Sequence, residues 1–266
     1  MEKEVLIVVK AYPNPSRSLI EASCVVGISR DGQFIRLYPI PFRQLEFQER
    51  FRKYQWIKLQ VETPRTDRRP ESFRPQLNTM KVLGKPLSTH RNWKPRRDVI
   101  MPLCSNSLCD IQDAQKTDRT SIGLFRPAEI LDFDWEPEKP PHWTPAELDR
   151  LRQEDMFLPS PENILEKIPY TFRYRFRCEG CRNKEPHYMK IVDWELGMLF
   201  RRMQQECSTI EEALAKVRQK WFGDLCGPDK DTHFFVGNMG AHPTSFLILG
   251  VFWPPVQQES PQMSLF

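Results

Sequence analysis

The sequence predicts an α+β protein: an N-terminal mainly-β, barrel-like domain, a smaller α+β domain after it, and a flexible C-terminal tail. Three observations carry this expectation. Residues 1–85 hold apolar and alternating runs of strand length, punctuated by turn residues. Residues 167–256 mix such runs with two amphipathic helical stretches. Past Pro254-Pro255 the periodicity stops, which makes 257–266 a tail.

EVLIVVKAY reads as a strand buried on both faces, because its apolar run is nearly continuous. IEASCVVGISRDGQFIRLYPIPF reads as two strands joined by a tight turn, where Asp31-Gly32 supplies the positive φ that a short hairpin needs. YQWIKLQVETP alternates, with Trp56, Lys58 and Gln60 on one face and Ile57, Leu59 and Val61 on the other. Pro39, Pro41, Pro64, Pro70 and Pro75 are placed at strand ends and in loops, where a missing N–H does no harm. A small curled sheet follows, and an oligonucleotide-binding barrel is one candidate for it. Residues 86–166 read as an irregular, acidic connector with one strand (SIGLFRPAEILDFDWEPE) and one helix. That helix opens at an N-cap Thr144, with Pro145 at its first position and Glu147 three residues past the cap. Pro159 and Pro161 suggest a domain boundary near 160–167. Beyond it, KIPYTFRYRFRC, THFFVGN and SFLILGVFW read as strands. IVDWELGMLFRRMQQE and STIEEALAKVRQKWFG read as helices, the second capped by Ser208 or Thr209 and stopped at Gly223.

Composition narrows the function classes. The chain has 266 residues, enough for a real core, with 39% hydrophobic residues and no apolar run of membrane-spanning length. The N-terminal apolar run of five is too short for a secretory leader, and seven unevenly spaced cysteines point to a reducing cytosol. The net charge of +4 hides an asymmetry: residues 43–97 carry 15 Lys/Arg against 5 Asp/Glu, and residues 110–166 carry 6 against 14. A basic block of that density suits an anionic polymer, nucleic acid before others, although the acidic block could neutralise part of it. No phosphate-binding glycine loop, dinucleotide fingerprint, nucleophile elbow or kinase motif occurs.

Three groups of residues could carry chemistry. Arg65, Arg68, Arg69 and Arg74 lie in a proline-punctuated stretch that presents guanidinium groups to phosphates, with Arg96 and Arg97 further on. In YTFRYRFRC the period of two puts Tyr170, Phe172, Tyr174 and Phe176 on one face and Arg173, Arg175 and Arg177 on the other, a row suited to phosphates or to a salt-bridged surface. Cys178 and Cys181 form a C-x2-C pair at a strand end, with His187 close behind. That spacing suits a structural zinc whose fourth ligand is open among Cys207, Cys226 and His233. Asp193 and Glu195 are the candidate catalytic carboxylates of a Mg²⁺- or Mn²⁺-dependent nuclease; Asp193 is equally a helix N-cap, and Glu195 a first-turn acid. A protein-interaction module that never touches nucleic acid is the third reading.

The tail ends SPQMSLF. Its last five residues resemble the pentapeptide, usually Q-L-[S/D]-L-F, by which many bacterial replication and repair proteins dock on the DNA sliding clamp. Gln262, Ser264, Leu265 and Phe266 match, and Met263 stands where Leu is usual. The resemblance implies that Gln262 meets polar groups of the clamp while Met263, Leu265 and Phe266 serve as apolar anchors. It implies a bacterial, cytoplasmic, nucleoid-associated protein working on DNA in replication, repair or defence against foreign DNA. The resemblance covers five residues and says nothing of the fold of the rest.

Overall fold

The first 62 residues build strands in quick succession. In the computed structural model, which describes residues 1–15, 21–45, 50–153 and 165–257, they are β1 (Glu2–Lys10), β2 (Asn14–Pro15), β3 (Glu21–Ser29), β4 (Phe34–Ile40) and β5 (Trp56–Glu62). β6 (Ser72–Leu83) completes the set. β1 pairs antiparallel with both β3 and β5, β5 with β6 and β3 with β4, while β4 and β6 run parallel. The ring β1-β5-β6-β4-β3 therefore closes on itself. Its strand number and Greek-key order are those of the oligonucleotide-binding barrel. Closure explains the unbroken apolar run of β1: Val5 to Val9 are all fully buried, alternate side chains filling the barrel and the layer outside it. The β3–β4 turn uses Gly32 at φ 75°, the conformation expected there.

Two helices occupy the stretch expected to be irregular. α1 (His90–Ile100) starts with Arg91, Asn92 and Trp93 at positive φ and contains Pro95, so no regular helical pattern marks it in the sequence. α2 (Leu108–Asp118) is capped by Ser107, which accepts from the Asp110 N–H at 3.1 Å, and buries only Leu108, Cys109 and Ile111. Pro75 is likewise inside β6 rather than in a loop, beside a register shift in the β5–β6 ladder.

The remaining elements are β7 (Cys104–Ser105), β8 (Ile122–Phe125), β9 (Pro127–Pro137), α3 (Pro145–Gln153), β10 (Tyr170–Cys178), β11 (His187–Lys190), α4 (Trp194–Glu206), α5 (Ile210–Arg218), β12 (His233–Met239) and β13 (His242–Phe252). They form a three-stranded sheet, β11-β10-β9, and a four-stranded one, β13-β12-β8-β7. The boundary expected near 160–167 thus falls between strands that pair: β9 joins β10, and β8 joins β12. From the stretch expected to be a connector, residues 104–137 supply β7, β8 and β9 to the C-terminal sheets. Alternation in β10 came out as read: Phe172, Tyr174 and Phe176 point into the core, where the Tyr174 ring stacks on Phe234 at 4.9 Å. Each fully buried ring of this size contributes about 2–3 kcal/mol. Among the described residues no helix is long and apolar enough to cross a membrane.

Candidate nucleic-acid interface and metal centre

The loop from β5 to β6 and the strands beside it build a cleft of about 1180 Å³. Arg65, Arg68, Arg69 and Arg74 all line it, as the sequence suggested. Tyr38 of β4 adds a ring that is 46% exposed. Across from the barrel stand Gln115 and Arg119 of α2 and the β12–β13 turn with Gly240. Arg119 is the C-cap of α2, held at φ 67°. It was not singled out from the sequence, because its helix was not recognised there.

The cleft arginines divide by their partners. Arg69 is fixed: Nε and Nη2 donate to Asp67 at 2.8 and 2.6 Å, and Nη1 donates to the Asn238 carbonyl at 2.7 Å. Burial alone would raise the Asp67 carboxyl, but the bonds from Arg69 bring it down to about 2. Arg65, Arg68, Arg74 and Arg119 are exposed, and among the described residues none has a carboxylate at ion-pair distance. Four free guanidinium groups around an exposed aromatic ring can contact phosphates bidentately and stack a base.

The other predicted arginines lie elsewhere. Arg97 is buried, donating to Asp231 at 3.0 Å and to the Pro255 carbonyl. Arg96 stacks over Tyr54 at 4.0 Å and Trp93 at 4.7 Å. On β10 the arginine row does face outward, but the adjacent strand presents acids to it. Arg173 stands in register with Asp134, Arg175 with Asp132 and Arg177 with Glu129, and Arg173 is ion-paired to Glu136. That face is cross-strand paired, the arrangement in which opposite charges stabilise a sheet.

Asp193 and Glu195 come together around a lysine. Asp193 caps α4, its Oδ1 accepting from the Glu195 N–H at 2.7 Å. Its Oδ2 accepts from Lys53 at 3.1 Å, and Glu195 accepts from the same ammonium at 2.9 Å. Burial pushes the Asp193 carboxyl up to about 6 while Lys53 pulls against it. Both oxygens of Asp193 are engaged, so this is an ion-pair network joining the barrel to α4.

The C-x2-C pair does find company. Cys178 ends β10, Cys181 follows in the turn at Gly180 (φ 54°), and His187 opens β11. The fourth member is none of Cys207, Cys226 and His233. It is Cys109, from the first turn of α2. The four ligand atoms lie within 4.8 Å of one another, close enough to hold one metal ion. The Cys178 and Cys109 sulfurs are 3.7 Å apart, and His187 Nε2 is 3.4 Å from Cys178 and 3.2 Å from Cys181. The Asn183 side chain lies 3.3 Å from His187 Nδ1, and the Phe176 ring stacks on the imidazole, fixing its plane. Burial lowers the His187 pKa, which keeps the imidazole neutral, and pushes the Cys178 thiol up to about 11. Cys109 was out of reach of the sequence, being 69 residues from Cys178 with no pattern linking them. Among the described residues no other group of His, Cys, Asp and Glu gathers this way.

A family model described as a domain of unknown function, DUF8757, matches residues 104–266, more than half of the chain. The chain belongs to that family. A second model, DUF8758, also described as a domain of unknown function, matches residues 1–102. The division falls in the turn Met101–Leu103, after α1 and before β7. The four-residue cluster lies wholly within the DUF8757 part, whereas the cleft takes Tyr38 and its loop arginines from the DUF8758 part and Arg119 from the DUF8757 part. No curated protein matches the chain.

Proposed function

We propose that this chain binds DNA in the arginine cleft and reaches replicating, repaired or invading DNA by docking its tail on the bacterial sliding clamp. One observation carries the DNA reading: a cleft of about 1180 Å³ gathers Arg65, Arg68 and Arg74 with an exposed Tyr38 around the 4–5 loop of a five-stranded barrel, with Arg119 facing them from α2. In oligonucleotide-binding barrels ligands lie across that loop and the strand 2–3 face. Gln262, Met263, Leu265 and Phe266 lie outside the described residues, and the clamp reading rests on the resemblance of QMSLF. A tethered protein needs only modest affinity of its own, because the clamp supplies a high effective concentration. That suits a cleft of four free cations.

The cysteine–histidine cluster fits structural zinc in this reading. Tetrahedral bonds of about 2.3 Å to sulfur and 2.0 Å to nitrogen put sulfurs roughly 3.8 Å apart and sulfur roughly 3.5 Å from nitrogen. The observed 3.7, 3.4 and 3.2 Å need little adjustment. Cys109, Cys178, Cys181 and His187 would hold the ion, and it would pin α2 to β10 and β11.

The test is DNA affinity of the full chain against salt. Each phosphate contact steepens log K against log[salt] by about 0.9, so a slope of roughly −3 to −4 is expected. The double variant Arg65→Ala/Arg74→Ala should flatten it by about 2. Affinity indifferent to salt, or a slope the variant keeps, would remove the cleft from consideration.

A further inference from the structure

A second cavity, of about 460 Å³, shares no lining residue with the arginine cleft. It opens where the end of β1, the segment 52–54, α1 and the start of α4 meet. Its charges do not balance. Lys53 already satisfies both acids, Asp193 and Glu195. Lys10, Arg52 and Arg96 are left, and among the described residues no carboxylate lies at ion-pair distance from any of them. The Lys10 ammonium sits over the Phe42 ring at 4.1 Å and feels Glu195 and Asp193 only beyond ion-pair distance. Burial lowers its pKa to about 8, against the pull of the Glu195 and Asp193 carboxylates that Lys53 already pairs.

The wall beside these cations is aromatic. Trp93 and Trp253 meet edge to face at 5.0 Å, and Tyr54 lies 6.3 Å from Trp93. The backbone is strained to place them. Tyr54 and Trp93 have φ of 63° and 60°, and Arg91 and Asn92 beside them are also left-handed. Non-glycine residues rarely adopt that region, and such strain collects at ligand sites. The volume is that of a small-molecule pocket, for which about 300–1,000 Å³ is usual, and far exceeds one oxyanion.

We infer that this cavity binds a phosphate monoester carried on a planar ring, the chemistry of a nucleoside monophosphate, with Lys10 and Arg52 on the phosphate and the Trp93–Trp253 wall against the ring. Such a group can arrive as a free nucleotide or as the 5′-phosphorylated end of a strand. The site stands apart from the cleft and does not depend on the cleft's reading.

Calorimetric titration of the full-length protein tests it, with AMP, adenosine and inorganic phosphate as probes. AMP should bind about tenfold or more tighter than either adenosine or phosphate alone. Lys10→Gln and Arg52→Ala should each lose most of that advantage. Arg52 is exposed and its guanidinium makes no hydrogen bond, so its variant keeps the fold, as its melting temperature would verify. Oligonucleotides with and without a 5′-phosphate separate the two sources: a preference for the phosphorylated end beyond that for AMP assigns the site to strand ends, and equal affinity assigns it to free nucleotide. No AMP binding at millimolar concentration, equal binding of adenosine, or loss of AMP binding in Arg65→Ala/Arg74→Ala rather than in the Lys10 and Arg52 variants would overturn the inference.

Discussion

The guanidinium of Arg36 donates to the Ser121 hydroxyl at 2.6 Å and to the Ser121 carbonyl at 2.9 Å, across 85 residues. Arg36 belongs to the barrel strand β4, and Ser121 directly precedes β8, so this contact joins the two family regions. It is fully buried, and the Glu71 carboxylate completes it by accepting from the Ser121 N–H at 2.8 Å and its hydroxyl at 2.6 Å. Replacing Arg36 by Met would leave Ser121 and Glu71 with buried polar atoms and no cation. A loss of about 3 kcal/mol is expected in urea unfolding. Because Glu71 and Ser72 end the cleft loop, DNA affinity should fall with it.

Metal content distinguishes the cluster from its sequence alternatives. Protein purified without a polyhistidine tag should carry one equivalent of zinc by mass spectrometry. Cys109→Ser, Cys178→Ser, Cys181→Ser and His187→Ala should each lose it, while Cys207→Ser and Cys226→Ser keep it. Less than half an equivalent in the wild type, or full retention in Cys109→Ser, would break the four-ligand assignment.

His233 supplies a pH dependence of definite sign. The residue is buried, its Nδ1 lies 2.8 Å from the Asp231 carbonyl, and burial lowers its pKa below 6.5. The unfolded chain therefore binds a proton that the folded chain refuses. The stability from neutral His233 is complete above about pH 6.5 and is lost as the pH falls through the folded value. Relative to His233→Gln, the wild type should lose stability on going from pH 7 to pH 5. Parallel curves for the two proteins would show that His233 does not titrate this way.

The tail makes its own prediction. Surface plasmon resonance against a purified bacterial clamp should give binding on the order of micromolar, typical of a short peptide with two apolar anchors. The double variant Leu265→Ala/Phe266→Ala should abolish it. Binding that survives in the variant would detach the tail from the clamp.

Local chemistry was legible in the sequence. The β3–β4 turn, the alternation of β10, the N-caps Asp193 and Thr209, and the box in which Thr144 and Glu147 exchange hydrogen bonds each need only a few adjacent residues. So did most of the basic cleft, since four of its five arginines, Arg65, Arg68, Arg69 and Arg74, are neighbours along the chain. What the sequence could not show depends on closure over distance. β1 alone does not say that it pairs with both β3 and β5, and Cys109 is an ordinary half-apolar helix residue until the fold brings it to Cys178. The β10 arginines were ambiguous because their counter-charges sit on β9, which pairs with β10 although α3 lies between the two strands in sequence. Helices α1 and α2 escaped notice for a related reason: neither has an apolar face wide enough to stand out.

Helix α2 spans about 16 Å at 1.5 Å per residue. One end carries Cys109 and the other carries Gln115 and Arg119. Its middle is seated so closely on β8 that a methyl group at Gly123 would strike Ile111 at 2.5 Å. A rod clamped at its centre and anchored at one tip has little freedom at the other. If the cluster holds an ion, the same strut would set the width of the cleft, and loss of that ion would be felt as a loosened jaw rather than as a lost contact.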